Sequence, residues 1–375
     1  MKEERKRILQ MVEEGKLTVD EALTLMEELE KAQQTVNQKQ EEIMKELSTT
    51  VQYEQNHEHT QSTKEDPFNS KFQSTKDKIF EFVDSALKKI KELDFDFNFG
   101  QSVDLSHIFH HGNADFKDMD IDVANGSVKI ISWDQPDVRV ECQAKVYRVE
   151  NQDSARANFM RDITFEVANQ KLRFGTQQKW MKVEALIYVP KSQYENARVR
   201  LFNGSISGGE LNVGNLQVKT ANGKIELGQI IGKRAEVETA NGKIKVRHSQ
   251  FDELEAESIT GSIKLDGDMA KVDAQSFNGN IHLNLSGNRA EWIHTKTTTG
   301  GIDLYIPEEL PVEGELKTNL GGFNLNLVGV QILEEKSEMV QKSLRFQSVN
   351  HPDKMLKIFA DTKTGSVTLK KSLEK

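Results

Sequence analysis

The stretches TANGKIEL (Thr220–Leu227) and TANGKIKV (Thr239–Val246) write one pattern twice, 19 residues apart. The pattern extends in both directions. Gly204, Gly223, Gly242, Gly261, Gly279, Gly300 and Gly321 are each followed two residues later by an apolar residue, at spacings of 19, 19, 19, 18, 21 and 21. Gly126 and Gly365 sit in the same local pattern outside that run. Periodicity of this length marks a repeat architecture.

The register is informative at each depth. Two residues after the glycine come Ile206, Ile225, Ile244, Ile263, Ile281, Ile302 and Phe323. Four after it come Leu227, Val246, Leu265, Leu283, Leu304 and Leu325, with Gly208 breaking the column. Three before it come Thr220, Thr239, Ser258, Ser276, Thr297 and Thr318. Between these columns lie charged or polar residues such as Lys219, Glu238, Glu257 and Gln275. Alternation at period two on either side of each glycine predicts half-buried strands.

Two architectures fit. Each Asn-Gly is either a two-residue hairpin turn, with Thr220 facing Ile225 and Val218 facing Leu227, or the corner of one coil of a β-solenoid. Identical residue types at each depth favour the solenoid, because coils about 4.8 Å apart lay like on like. On this reading Asn222, Gly223, Asn241, Gly242, Asn278 and Gly279 are structural corners, and the Ser/Thr column forms a hydroxyl ladder. The expected fold is mainly β, a solenoid of about 19–21-residue coils over 115–370, preceded by α structure. Upstream, FKDMDIDVANGSVKIISW carries the repeat register, and the 78 residues from Gly126 to Gly204 read as four coils, with a short helix over 150–162. IFADTKTGSVTL reads as the last coil.

The first hundred residues differ in character. Ile8, Leu9, Met11 and Val12 cluster at helical spacing, Gly15 offers a stop, and Thr18-Val19-Asp20-Glu21 is a capping box for a second helix. This hairpin, with a helical extension to residue 47, buries too little to stand alone, so it is expected to pair with a copy of itself or another surface. Residues 48–73 are polar and read as a flexible linker. Residues 74–100 open on an amphipathic helix whose apolar face includes Ile79, Phe80, Phe82, Val83, Leu87 and Ile90. That face either caps the open end of the solenoid or contacts a membrane.

RILQMVEEGKLTVDEALTLMEEL resembles the SHOCT-like helical hairpin of bacterial membrane and stress proteins. The tandem "xxTxNGxIxL" strands resemble the bacterial putative-adhesin family, long catalogued as a domain of unknown function. Hairpin, linker, LDFDFNFG (Leu93–Gly100) and tandem coils together are similar to the LiaX/YvlB-type proteins of Gram-positive bacteria. That resemblance implies a part in the cell-envelope stress response, beside membrane proteins.

Composition narrows the classes further. The 375 residues carry a net charge of −9 and no basic stripe, so nucleic acid is not an expected partner. Cys142 is the one cysteine, so nothing requires an oxidising compartment. Without an apolar signal core or a membrane-length apolar window, the expected location is cytoplasmic, peripheral to the cell membrane, with surface exposure left open. No phosphate loop and no GxSxG occurs, so no cofactor or enzymatic activity is expected. His107, His110 and His111 form the one tight histidine group, read as either metal ligands or a surface junction. Asp115, Asp118, Asp120 and Asp122 read as either calcium ligands or a solvated strand edge. The expectation is a non-enzymatic envelope-stress scaffold with a membrane or membrane-protein partner. The alternatives are an extracellular adhesin or glycan-binding solenoid, and a carbohydrate-active solenoid enzyme.

Overall fold

A computed structural model describes residues 101–338, 341–349 and 354–372, together with positions 8, 9, 12, 22, 23, 26, 27 and 38, which are helical. The linker, the amphipathic segment 74–93 and its proposed apolar contacts Ile79, Phe80, Phe82, Val83, Leu87 and Ile90 lie outside the described residues. From Ser102 to Lys371 the strands form one continuous sheet that winds into a β-solenoid.

The repeat columns become parallel ladders. Thr239 is paired to Thr220 on one side and Ser258 on the other. Ile244 lies between Ile225 and Ile263. Thr220 therefore neighbours threonine in the next coil, not Ile225 of its own, which excludes the hairpin reading. The inward columns are sealed: Ile244, Val246, Phe251, Val237 and Ile263 are fully buried. Each such side chain contributes about 1.5–3 kcal/mol over leaving it in water.

The corner chemistry explains why TxNG recurs. A Cβ on Gly242 would lie 1.9 Å from the carbonyl oxygen of Gly223, and a Cβ on Gly223 would lie 1.9 Å from that of Gly204. The same collision continues through Gly261, Gly279, Gly300, Gly365 and Gly321. Four of the corner glycines also take left-handed φ, but Gly223 and Gly242 do not, so close approach between coils is the shared requirement. The Ser/Thr column is not a hydroxyl ladder. Thr239 Oγ1 donates to Gly223 O at 3.0 Å, Ser258 Oγ to Gly242 O at 3.0 Å and Thr297 Oγ1 to Gly279 O at 2.9 Å. Each hydroxyl thus holds the corner of the preceding coil, while Asn241, Asn222, Asn203 and Asn125 form an amide ladder at 2.8–2.9 Å. Asn278 stands in register with Thr260 and Thr299, outside that ladder.

Coil order in space departs from coil order in the chain at both ends. Gly126 is paired directly to Gly204, so no coil intervenes in the 78-residue interval. The strand Asp118–Trp133 is flanked by Gln193–Gly209 on one side and by Lys171–Thr176 and Met181–Pro190 on the other. Residues 171–190 thus add one coil on the outside of the first, and the four-coil reading is corrected. Strands Val138–Tyr147 and Ser102–His111 continue outward in antiparallel pairing.

At the other end, Leu356–Thr362 lies between Trp292–Thr299 and Val312–Thr318. Likewise Val367–Lys371 lies between Ile302–Ile306 and Phe323–Asn326. The coil read as last is therefore inserted one place before the end of the stack. Antiparallel strands Lys342–Ser348 and Val330–Ser337 finish that end.

The other end is closed by the helix Gln152–Asp162, N-capped by Asn151, whose Oδ1 accepts from Ser154 N at 2.8 Å. Its Phe159 is fully buried and packs against His107 and Phe109, which in turn meets Phe165 and Phe174.

Candidate functional site

Because the inward columns hold the core, chemistry that is free to vary sits on the outward columns. In one such column Asp122, Arg200, Lys219, Glu238, Glu257 and Gln275 follow one another from coil to coil. In the next, two residues earlier, run Asp120, Arg198, Gln217, Glu236, Glu255 and Asp273. The strand spacing brings these neighbours within reach of one another, so the face is laced by pairs between coils.

The pairs are specific. Arg198 donates to both oxygens of Asp120 at 2.9 and 2.6 Å, and Lys171 reaches Asp120 from the far side at 3.0 Å. Arg200 pairs with Asp122 at 2.5 Å, and Asn196 donates to Asp118 at 2.8 Å. Asp120 and Asp122 thus neutralise cations of adjacent strands, Asp118 accepts from the neutral Asn196, and Asp115 is exposed. For Asp120 burial works against ionisation, but hydrogen bonds from Arg198 and Lys171 outweigh it and hold the carboxyl below its ordinary range. For Asp122 burial prevails and pushes the carboxyl up despite Arg200.

The middle of the face holds a tighter cluster. Lys219 Nζ lies 2.8 Å from Glu236 and 3.4 Å from Glu238, and Gln217 donates to Glu236 at 2.9 Å. Lys219, Glu238 and Glu257 are all buried although they point away from the core. Burial raises Glu238 to about 8, helped by its hydrogen bond with Glu236 and by the nearby charge of Glu257. Burial also opposes ionisation of Glu236, yet hydrogen bonds with Glu238, Lys219 and Gln217 hold it down to about 2. The two carboxyls therefore share one proton at neutral pH. An open groove of about 580 Å³ runs beside them, lined in part by Lys171, Arg198, Gln217, Arg234 and Glu236.

This pair makes stability depend on pH in a definable way. Unfolded, both glutamates titrate near 4.5. Between that pH and about 8 the folded pair keeps a proton that the unfolded chain has released, so the pair's contribution declines as pH rises through Glu238's folded value. Towards about 2 the reverse holds: Glu236 resists the protonation that the unfolded chain accepts. Glu238→Gln keeps the hydrogen bonding and removes the alkaline branch. Urea midpoints measured at both ends of the upper window are expected to converge in the variant; an unchanged difference would contradict the shared proton.

The histidines do not assemble. His107 packs edge-on against Phe109 and Phe159, and burial followed by the Arg156 charge lowers its basicity. His110 meets Asp137 at 3.2 Å, and His111 is exposed. Among the described residues no group of three or more His, Cys, Asp or Glu is placed to hold a metal ion. Glu238 and Lys219 share one outward column, and coil stacking sets them side by side.

Family models match this architecture. That for the Toastrack DUF4097 domain covers residues 116–370, well over half of the chain. The chain belongs to the Toastrack DUF4097 family. A SHOCT-like domain model matches residues 3–34, ahead of the Toastrack repeat. Across its length the chain is also 48% identical to the Bacillus subtilis (strain 168) uncharacterized protein YvlB, over 377 residues, 99% of this chain and 100% of the relative. It is therefore a YvlB homologue carrying a Toastrack solenoid.

Solved structures similar to it include a "putative adhesin" of Bacteroides fragilis, at 11% identity and TM-score 0.32, covering 71% of this chain and 97% of that one. A "putative lipid binding protein" of Parabacteroides distasonis is similar at 11% identity and TM-score 0.35, covering 70% and 96%. These are remote likenesses, and the solenoid assignment rests on the strand register and the family match.

Proposed function

We propose that this YvlB homologue is a non-enzymatic scaffold of the cell-envelope stress response. Its solenoid presents a rigid recognition face to a protein partner, and its helical N-terminal region engages a membrane or a membrane protein. The carrying observation is the outward face itself. Its charged side chains are held by one another across coils, from Asp120 and Arg198 through Lys219 and Glu236 to His294 on Asp273 at 3.0 Å. A surface fixed in this way binds without first losing side-chain entropy, which favours recognition. The Toastrack and SHOCT-like matches and the relationship to YvlB support the modular layout.

Under this reading the protein is cytoplasmic and peripheral to the membrane, and the apolar residues Phe80 and Phe82 make the contact. The full chain is expected to co-sediment with anionic lipid vesicles, and Phe80→Glu/Phe82→Glu to lose most of that binding. No vesicle binding by the full chain, together with no membrane-protein partner in a pull-down, would overturn the proposal. Recovery of the protein solely outside the cell would favour the adhesin reading instead.

A further inference from the structure

The outward columns that follow the corner glycines differ from those that precede them. Ile244 and Val246 are fully buried, so strand alternation turns Lys243, Lys245 and Arg247 outward together. In the next coil Lys264 is paired directly to Lys245. In the previous one Glu226 is paired to Lys245, and Lys224 meets Glu226 at 3.1 Å. Asp266 is held by His248 at 3.2 Å. Five cations thus share three adjacent coils with two carboxylates. The coils on either side carry no lysine, arginine or carboxylate at the equivalent positions. Ser205 and Ser207 stand on one flank, and Asn280, His282 and Asn284 on the other.

No basic stripe shows along the chain, but stacking assembles one. On the face before the corner, Arg198, Arg200 and Lys219 are paired with acids of adjacent coils. After the corner the side chains of Lys243, Lys245, Arg247 and Lys264 form no ion pair among the described residues. These like charges lie within about 13 Å along the strand and about 5 Å between coils, so they repel one another. In a chain of net charge −9, such a group is relieved by an anion from outside.

We propose that this face is a second membrane-contacting surface, which lies against anionic lipid. The inference rests on the proposed membrane location, but not on Phe80 and Phe82 as the contact. The chemistry favours lipid over other anions. A free phosphate is held by donors that converge on it, whereas these side chains stand side by side on parallel strands. Three of the four unpaired cations are lysines, point charges without a fixed fork, which suit a fluid layer of headgroups better than one oriented ligand. A long polyanion would run past the three coils onto an acidic molecule. A lipid surface meets the patch alone, because screening over about 8–10 Å hides the more distant acids from it.

Full-length variants are compared by co-sedimentation with phosphatidylglycerol/phosphatidylcholine vesicles. Lys243→Gln/Lys245→Gln/Lys264→Gln is expected to weaken binding roughly a hundredfold, about fivefold for each lysine. Lys233→Gln/Lys296→Gln/Lys354→Gln removes the same charge from exposed positions outside this face and is expected to bind nearly as tightly as the unaltered chain. The gap between the two is expected to close in high salt. Equal binding by the two triple variants in low salt would overturn the proposal, as would a gap that salt leaves unchanged. Should the first triple melt early, Lys243→Gln alone, at an exposed position, carries the same comparison with about a fivefold loss. Phe80→Glu/Phe82→Glu, run alongside, separates this face from the N-terminal contact. If only the Phe variant loses binding, this face is refuted; if only the lysine triple does, this face is supported without that contact. No vesicle binding by the unaltered chain would overturn both. Release from vesicles by inorganic phosphate, beyond that by chloride at equal ionic strength, would show a free-phosphate site. Lysine-dependent retention of duplex DNA without vesicle binding would show a nucleic-acid site. Either result overturns the lipid assignment.

Discussion

Gly242→Ala is expected to destabilise the solenoid by more than about 4 kcal/mol, at the extreme of what one methyl group does. The added Cβ would lie 1.9 Å from Gly223 O, 2.5 Å from Gly223 C and 3.2 Å from Lys224 N. All three are backbone atoms, so no side chain can swing aside. Relief requires the two coils to part, which sacrifices Gly223 N to Asn241 O and Ile225 N to Lys243 O, both 2.9 Å. The backbone at Gly242 is not in the left-handed region, so strain in φ plays no part. Gly322→Ala is the control, since a Cβ there meets nothing within 4 Å. Its effect is expected to stay within about 0.5 kcal/mol. Urea unfolding followed by circular dichroism measures both, and comparable losses in the two variants would refute the stacked-corner account.

Phe159→Ala carries the second large effect, a loss of about 3–5 kcal/mol. Phe159 is fully buried under the terminal coil and joins His107 and Phe109 to the helix that closes that end. Its neighbour Met160 is 45% exposed, so Met160→Ala is expected to change little. Uncovering a solenoid end also frees backbone edges that pair with other chains. The Phe159 variant is thus expected to melt earlier and to scatter light on warming, while the Met160 variant does neither. Equal melting of the two would show that the helix is not a cap.

The inward half of this protein was legible because stacking writes itself into columns. Ile225, Ile244 and Ile263 had to be alike since each lies on the next. The short helix read over 150–162 is Gln152–Asp162. Two features resisted the same reading. Stack order is not encoded in spacing: Gly300 to Gly321 shows the interval of direct neighbours, although Gly365 lies between them. The 78 residues from Gly126 to Gly204 fit a whole number of coils, although the two glycines touch. The Glu236–Glu238 cluster was hidden for a different reason. Burial raises Glu238 and its hydrogen bond with Glu236 adds to this, while Lys219 pairs with both from one coil away, and no local motif contains all three. The hydroxyl column was seen, but its partner was not, because the accepting carbonyl belongs to a glycine in the previous coil.

The solenoid is one stack whose coil order differs from the chain order, and a single cysteine pair tests that most directly. Lys129 and Ser207 are directly opposed in adjacent coils. Lys129→Cys/Ser207→Cys is expected to close to a disulfide in the folded protein under mild oxidation, as is the control Lys245→Cys/Lys264→Cys between coils adjacent in the chain. The native Cys142 does not compete, being buried with its thiol pushed up to about 12. A separation of four coil steps would hold the two positions about 19 Å apart, far beyond the roughly 7 Å that a disulfide spans. Closure of the control pair without closure of the Lys129–Ser207 pair would contradict the stack.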